Sequence, residues 1–183
     1  MSRRLTATLT ALAVLAVLLT WGWPWLATAV RLVRLIREAP PRVLPVPVEG
    51  VATEELEDGW GAPRSGGRRH EGIDIFAPRG TPVVSATRGM IVRKGWNRLG
   101  GWSVNVLGPG GQHHYYAHFG QLAPPEVGDW VAVGEILGFV GDTGNAKGTP
   151  THLHYGIYAW NGEAMDPYPL LAPRASDNSG KHL

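Results

Sequence analysis

The chain has 183 residues, 44% of them hydrophobic, which is room for one globular domain plus extras. It contains no cysteine, so disulfides and thiolate zinc sites are excluded, and any metal must be held by His and carboxylate. The net charge of +2 is unevenly placed: residues 1–50 carry six Arg against Glu38 and Glu49, net +4, leaving −2 for the rest, which argues for a membrane surface near the N-terminus and against a nucleic-acid groove.

Arg3-Arg4 precede an uncharged run from Leu5 to Val30, rich in Leu, Ala, Val and Trp. Such a run exceeds the roughly 20 residues needed to cross a bilayer, and Trp21, Trp23 and Trp25 gather at its far end as interfacial aromatics do. Residues 1–30 therefore read as a transmembrane anchor or as a signal peptide with Ala27-Thr28-Ala29 as its small-residue cleavage site. The length of the run favours the anchor. Arg31, Arg34 and Arg37 then repeat every three residues opposite Leu32, Val33, Leu35 and Ile36, the pattern of a basic amphipathic helix lying on anionic headgroups. The stretch Ala39–Val48 (APPRVLPVPV) reads as an extended spacer, so that residues 31–50 form a helix and a Pro-rich linker.

Residues 51–173 read as the folded domain and 174–183 as a frayed polar tail. With 25 Gly and 15 Pro, the chain favours turns and short strands over long helices. After the flexible basic loop Arg64–Arg69, β-prone runs recur at 72–76, 82–86, 90–95, 103–107, 113–118, 130–133, 136–140 and 152–158, divided by turn residues. Strands this short and regular predict an all-β domain, a compact antiparallel sandwich or barrel-like fold. His113 and His114 read as surface strand residues, and the glycine-rich stretch 138–148 as a turn beside a groove rather than a phosphate loop, because Lys147-Gly148-Thr149 lacks the Gly-Lys-Thr order.

The chemistry concentrates in four histidines and one aspartate. His152 and His154 are one residue apart and share a face of a strand. His70 and Asp74, four residues apart in His-Glu-Gly-Ile-Asp, also share a strand face; Gly72 and the β-branched Ile73 and Ile75 disfavour a helix there. His70, Asp74 and His154 make a three-ligand set suited to zinc with a fourth position open, the arrangement of catalytic rather than structural zinc. Zinc lowers the pKa of its water toward about 7. His118 and His152 are left to handle the protons of amide hydrolysis, although His118 could equally pack against Tyr116 on its strand.

His70-Glu-Gly-Ile-Asp74, Tyr116-Ala-His118 and His152-Leu-His154, in this order, resemble the lysostaphin/LytM-type zinc metallopeptidases of family M23, which cleave the peptide cross-links of peptidoglycan. The stretch 141–150 is similar to the family's glycine-rich turn, 128–134 and 136–141 to its preceding hairpin, and Asp166-Pro167 to its closing segment, so the resemblance covers about residues 58–172. It implies one Zn2+ per chain on His70, Asp74 and His154, with His118 and His152 as the catalytic histidines. It also implies peptidoglycan peptide stems as substrate, and a place in the cell envelope, anchored on the outer face of the inner membrane or secreted. Some members have lost ligands and act as silent modules that bind cell wall or activate other hydrolases; here all five positions are intact, which favours the enzyme. Some members place a Tyr six residues before the first ligand, where it stabilises the oxyanion; this chain has Arg64, whose guanidinium could take that part.

Overall fold

The structure, a computed structural model, describes Thr20 and residues 23–172. The domain is built on strands β1 (Ile73–Phe76), β2 (Pro82–Val84), β3 (Gly89–Asn97), β4 (Gly101–Leu107), β5 (His113–Leu122), β6 (Trp130–Val131), β7 (Ile136–Val140), β8 (His152–Tyr158) and β9 (Ala164–Met165). The helices are α1 (Trp23–Arg37) before the strands and the single turn α2 (Tyr168–Leu171) after them. Every pairing is antiparallel, in the order β1-β8-β5-β4-β3-β6, with β9 on β8 and with β7 joining β2 to β5.

The all-β, antiparallel expectation holds. Of the sandwich and barrel-like alternatives, the strand pairing gives one continuous sheet: β5 pairs with β8 over residues 113–117 and with β7 over 119–122, which joins all strands. Residues 128–134 and 136–141 do not form a hairpin: β6 pairs with β3, and β7 with β2 and β5.

Strand alternation divides the β1–β8 ladder into two faces. Ile73 opposes Tyr155 and Ile75 opposes Leu153, all four buried in the core. Asp74 opposes His154 and Phe76 opposes His152, and all four line the cleft on the other face. The core continues through Val104, Val106, Tyr116, Phe119 and Ile157, each at most 1% exposed. Burying side chains of this size contributes roughly 1.5–3 kcal/mol each, so the core face fixes the register and the register fixes the cleft.

The N-terminal segments depart from expectation. No helix among the described residues is long and apolar enough to cross a membrane, and most of the run 5–30 lies outside them. Helix α1 runs without a break from the end of that run into the Arg-rich repeat. It packs on the domain through the buried Leu35, through Arg31 stacked 3.7 Å above the Trp130 ring, and through an ion pair from Glu38, just past the helix, to Arg88. The Pro-rich stretch read as a spacer is also docked: Leu44 and Val48 enter the core, Leu44 N–H donates to Leu170 O at 2.8 Å, and Val48 bridges to Val83. Its valines and leucine alternate with prolines, and those apolar side chains have the domain surface at hand to cover them. The tail 174–183 lies outside the described residues.

Candidate metal and catalytic site

Five side chains from four segments meet at the floor of a cleft of about 800 Å³. His70 comes from the loop before β1, Asp74 from β1, His118 from β5, and His152 and His154 from β8. His70 Nε2 lies 2.9 Å from His154 Nδ1, and both lie about 3 Å from Asp74 Oδ1, at 3.1 and 3.0 Å. Three lone-pair-bearing atoms converging like this are the group among the described residues that could hold a metal ion. A tetrahedral zinc about 2.0–2.1 Å from each donor holds its donors about 3.3 Å apart, so two imidazoles and a carboxylate at these separations fit that ion.

Backbone carbonyls set the tautomers of three of the histidines. His70 Nδ1–H donates to Gly59 O at 2.8 Å, which leaves the Nε2 lone pair for the metal position. His118 Nδ1–H donates to Thr143 O at 2.7 Å and His152 Nδ1–H to Pro150 O at 2.8 Å, leaving each Nε2 as the free acceptor. The His118 and His152 rings stand edge to face, centroids 5.0 Å apart, and His152 Nε2 is 3.8 Å from Asp74 Oδ1. Burial pushes His118 down to about 4, outweighing the Thr143 carbonyl, which favours the charged ring; His118 is therefore a neutral base at pH 7. Burial also lowers His154 against the pull of Asp74. At Asp74 burial acts upward, yet hydrogen bonds from His154 and His70 outweigh it and hold the carboxyl far below the usual carboxylate range.

Position 118 has the one positive φ among the described non-glycine residues, +67°. His114, Tyr116 and His118 would share a face in a regular strand, and His114 and Tyr116 are wholly buried on the core side. The ladder shifts register at this point, where β5 passes from β8 to β7, and the left-handed residue turns the His118 imidazole to the cleft beside Ala117. A non-glycine residue in this region costs of order 1–3 kcal/mol, which the surrounding pairings offset.

Sequence reading missed two contributions. Gly72 is required by close approach: a Cβ there would sit 2.5 Å from Tyr155 O and 2.8 Å from His154 Cε1. Arg64, read as a group that could face a developing oxyanion or equally as a solvated loop residue, has its Nη2 donating to Asp74 Oδ2 at 2.5 Å and is engaged by the carboxylate of the candidate ligand set. His114, read as a surface residue, is fully buried with Nδ1 2.7 Å from the Tyr155 hydroxyl and with Nε2 unpartnered. The glycine-rich turn lies where expected: Asn145, Ala146, Thr149 and Pro150 form one wall of the cleft.

The model of peptidase family M23 matches residues 68–167. The chain is 45% identical over 123 residues to the L-Ala--D-Glu endopeptidase of Bacillus subtilis, a match covering 61% of this chain and 38% of that protein. It is 34% identical over 119 residues to lysostaphin of Staphylococcus simulans, covering 62% and 24%. The solved catalytic domain of that lysostaphin superposes with a TM-score of 0.58 at 32% identity, over 64% of this chain and 92% of the domain. A LytM-type protein from Ruminococcus gnavus, described as a glycyl-glycine endopeptidase, superposes with a TM-score of 0.59 at 33% identity, over 83% and 66%. The matches thus span well under half the length of these two curated relatives.

Proposed function

The chain belongs to peptidase family M23, and from that membership we propose that it is a zinc-dependent endopeptidase hydrolysing peptide cross-links of bacterial peptidoglycan. The observation that carries the proposal is the convergence of His70 Nε2, Asp74 Oδ1 and His154 Nδ1 beside the imidazoles of His118 and His152. His70, Asp74 and His154 hold the ion, one per chain. When bound there, zinc supplies Lewis acidity to the scissile carbonyl and acidifies a water.

His118 and His152 move the protons. With Nδ1–H pinned to a carbonyl, each ring presents Nε2 to the cleft. One Nε2 accepts the proton of the attacking water; an imidazolium then returns a proton to the nitrogen of the departing amine, so that one water is consumed and the C–N bond is broken. Burial keeps His118 in the accepting form at neutral pH. A silent wall-binding module is the less favoured alternative, since all five side chains needed for turnover are present.

The enzyme acts in the cell envelope, held by the N-terminal apolar run as an anchor or released after its cleavage. Residues 51–173 form the catalytic unit, which helix α1 and the Pro-rich stretch brace. Purified protein incubated with cell wall, with fragments read by mass spectrometry, tests the activity: the proposal expects cleavage by wild type and a zinc-loaded but inactive His152→Ala variant. Cell wall left intact by zinc-loaded wild type defeats the enzyme reading. N-terminal sequencing of membrane and soluble fractions separates anchor from signal.

A further inference from the structure

One loop of the cleft lining is cationic. It is the loop 63–69, where Arg64 N–H donates to Arg68 O at 2.9 Å and Pro63 bridges to Arg69, closing the loop over positive-φ Gly66 and Gly67. The three guanidinium side chains of this loop, Arg64, Arg68 and Arg69, all line the cleft and are exposed. Arg64 is spent on Asp74. The other two have no carboxylate partner among the described residues: Arg68 contacts only the backbone and hydroxyl of Ser65, at 3.2 and 3.4 Å, and Arg69 Nη1 donates to Gly61 O at 3.0 Å. A guanidinium has five N–H donors, so each keeps several free. The glycine-rich turn's share of the lining, Asn145, Ala146, Thr149 and Pro150, offers no charge. Of the two acids in the lining, Asp74 belongs to the ligand set and Glu71 lies near the Tyr158 hydroxyl.

From this asymmetry we infer that Arg68 and Arg69 form a carboxylate-binding subsite, and that the enzyme takes acidic peptides with a free carboxylate close to the scissile bond rather than uncharged glycine chains. The inference rests on the peptidase reading and narrows its substrate class. Guanidiniums bind carboxylates through charge-assisted, directional bonds. With the free cations of the lining confined to one loop, a carboxylate bound there also fixes which way the peptide lies across the histidines, and orientation of this kind is what a hydrolase needs from remote contacts.

The test uses the full chain with zinc and a synthetic peptide spanning the bond cut in wall digests, made with its carboxylates free or converted to carboxamides. Wild type is expected to favour the carboxylate form by about tenfold in kcat/KM, carried by KM and reduced at high salt. Arg68→Gln/Arg69→Gln is expected to lose that preference, and Arg68→Lys/Arg69→Lys to regain much of it, which a loop that merely misfolds would not do. Equal cleavage of both forms by wild type, or a preference that survives the double Gln variant, overturns the inference while leaving the peptidase reading intact. Were neither peptide nor wall cleaved, the peptidase reading would fail instead. In that case the inference is decided by equilibrium binding of free stem peptide and its amidated form, and equal affinities overturn it.

Discussion

His114 makes the stability of the domain depend on pH in a way that a single substitution isolates. Its ring is wholly buried on the core face of β5, with Nδ1 at the Tyr155 hydroxyl and Nε2 unpartnered. Burial, reinforced by the neighbouring His113, pushes it from its ordinary 6.5 to about 3. The folded pKa is the lower one, so between pH 6.5 and 3 the unfolded chain binds a proton that the folded chain refuses. The contribution is therefore complete above pH 6.5, falls by about 1.4 kcal/mol per pH unit below it, and levels off near pH 3 after a loss of roughly 4–5 kcal/mol. Against the 5–15 kcal/mol of a typical domain this is a large share. His118, His154 and Asp74 shift in the same sense, so the measurement has to be a difference. Urea unfolding of wild type and His114→Gln, followed by tryptophan fluorescence at intervals from pH 7.5 to 4, provides it. The variant is expected to be less stable at pH 7.5, with the gap narrowing by about 3 kcal/mol by pH 4. A gap that stays constant with pH would refute the reasoning, because it would mean that the buried ring is not held neutral.

Three further outcomes follow from the site. Arg64→Ala removes the partner of Asp74 Oδ2 and is expected to weaken zinc binding 10- to 100-fold in chelator competition; an oxyanion role would instead lower kcat with zinc affinity unchanged. Gly72→Ala places a methyl against Tyr155 O and the His154 ring, so a stability loss of about 1–3 kcal/mol by chemical denaturation should accompany loss of zinc. Stripping the metal with a chelator is expected to lower the melting temperature by about 5–10 °C relative to protein with zinc at 100 times its Kd, and adding zinc back should restore it.

The candidate ligand set was legible in part because its spacing matched a physical period. His152 and His154 share a face of β8, and β1 and β8 turn out to be paired with Asp74 opposite His154; His70, expected on the same strand as Asp74, lies instead in the loop before β1 and reaches the cleft from there. The strands themselves were visible as β-prone runs between turn residues, but β9, only two residues long, gave no such signal. His118 shows where the period misleads. Alternation along β5 would send it into the core with His114 and Tyr116; a register shift and a left-handed backbone, neither written in local residue preference, bring it to the cleft. The same alternation, with the core side identified, would have buried His114. The stretch 39–48 misled differently: its prolines favour an extended chain, and they do, but Leu44 and Val48 found a core to enter. Burial by distant parts of the chain overrode a local reading that was otherwise sound.

That docked stretch has a mechanical consequence. Ten extended residues of polyproline type would give a tether of about 30 Å on which a domain could sweep through a broad volume. Here the same residues lie against the domain, and α1 is clamped to it at Leu35 and Trp130. Residues 39–48 therefore lend the cleft no free reach relative to α1: helix and cleft share one footing.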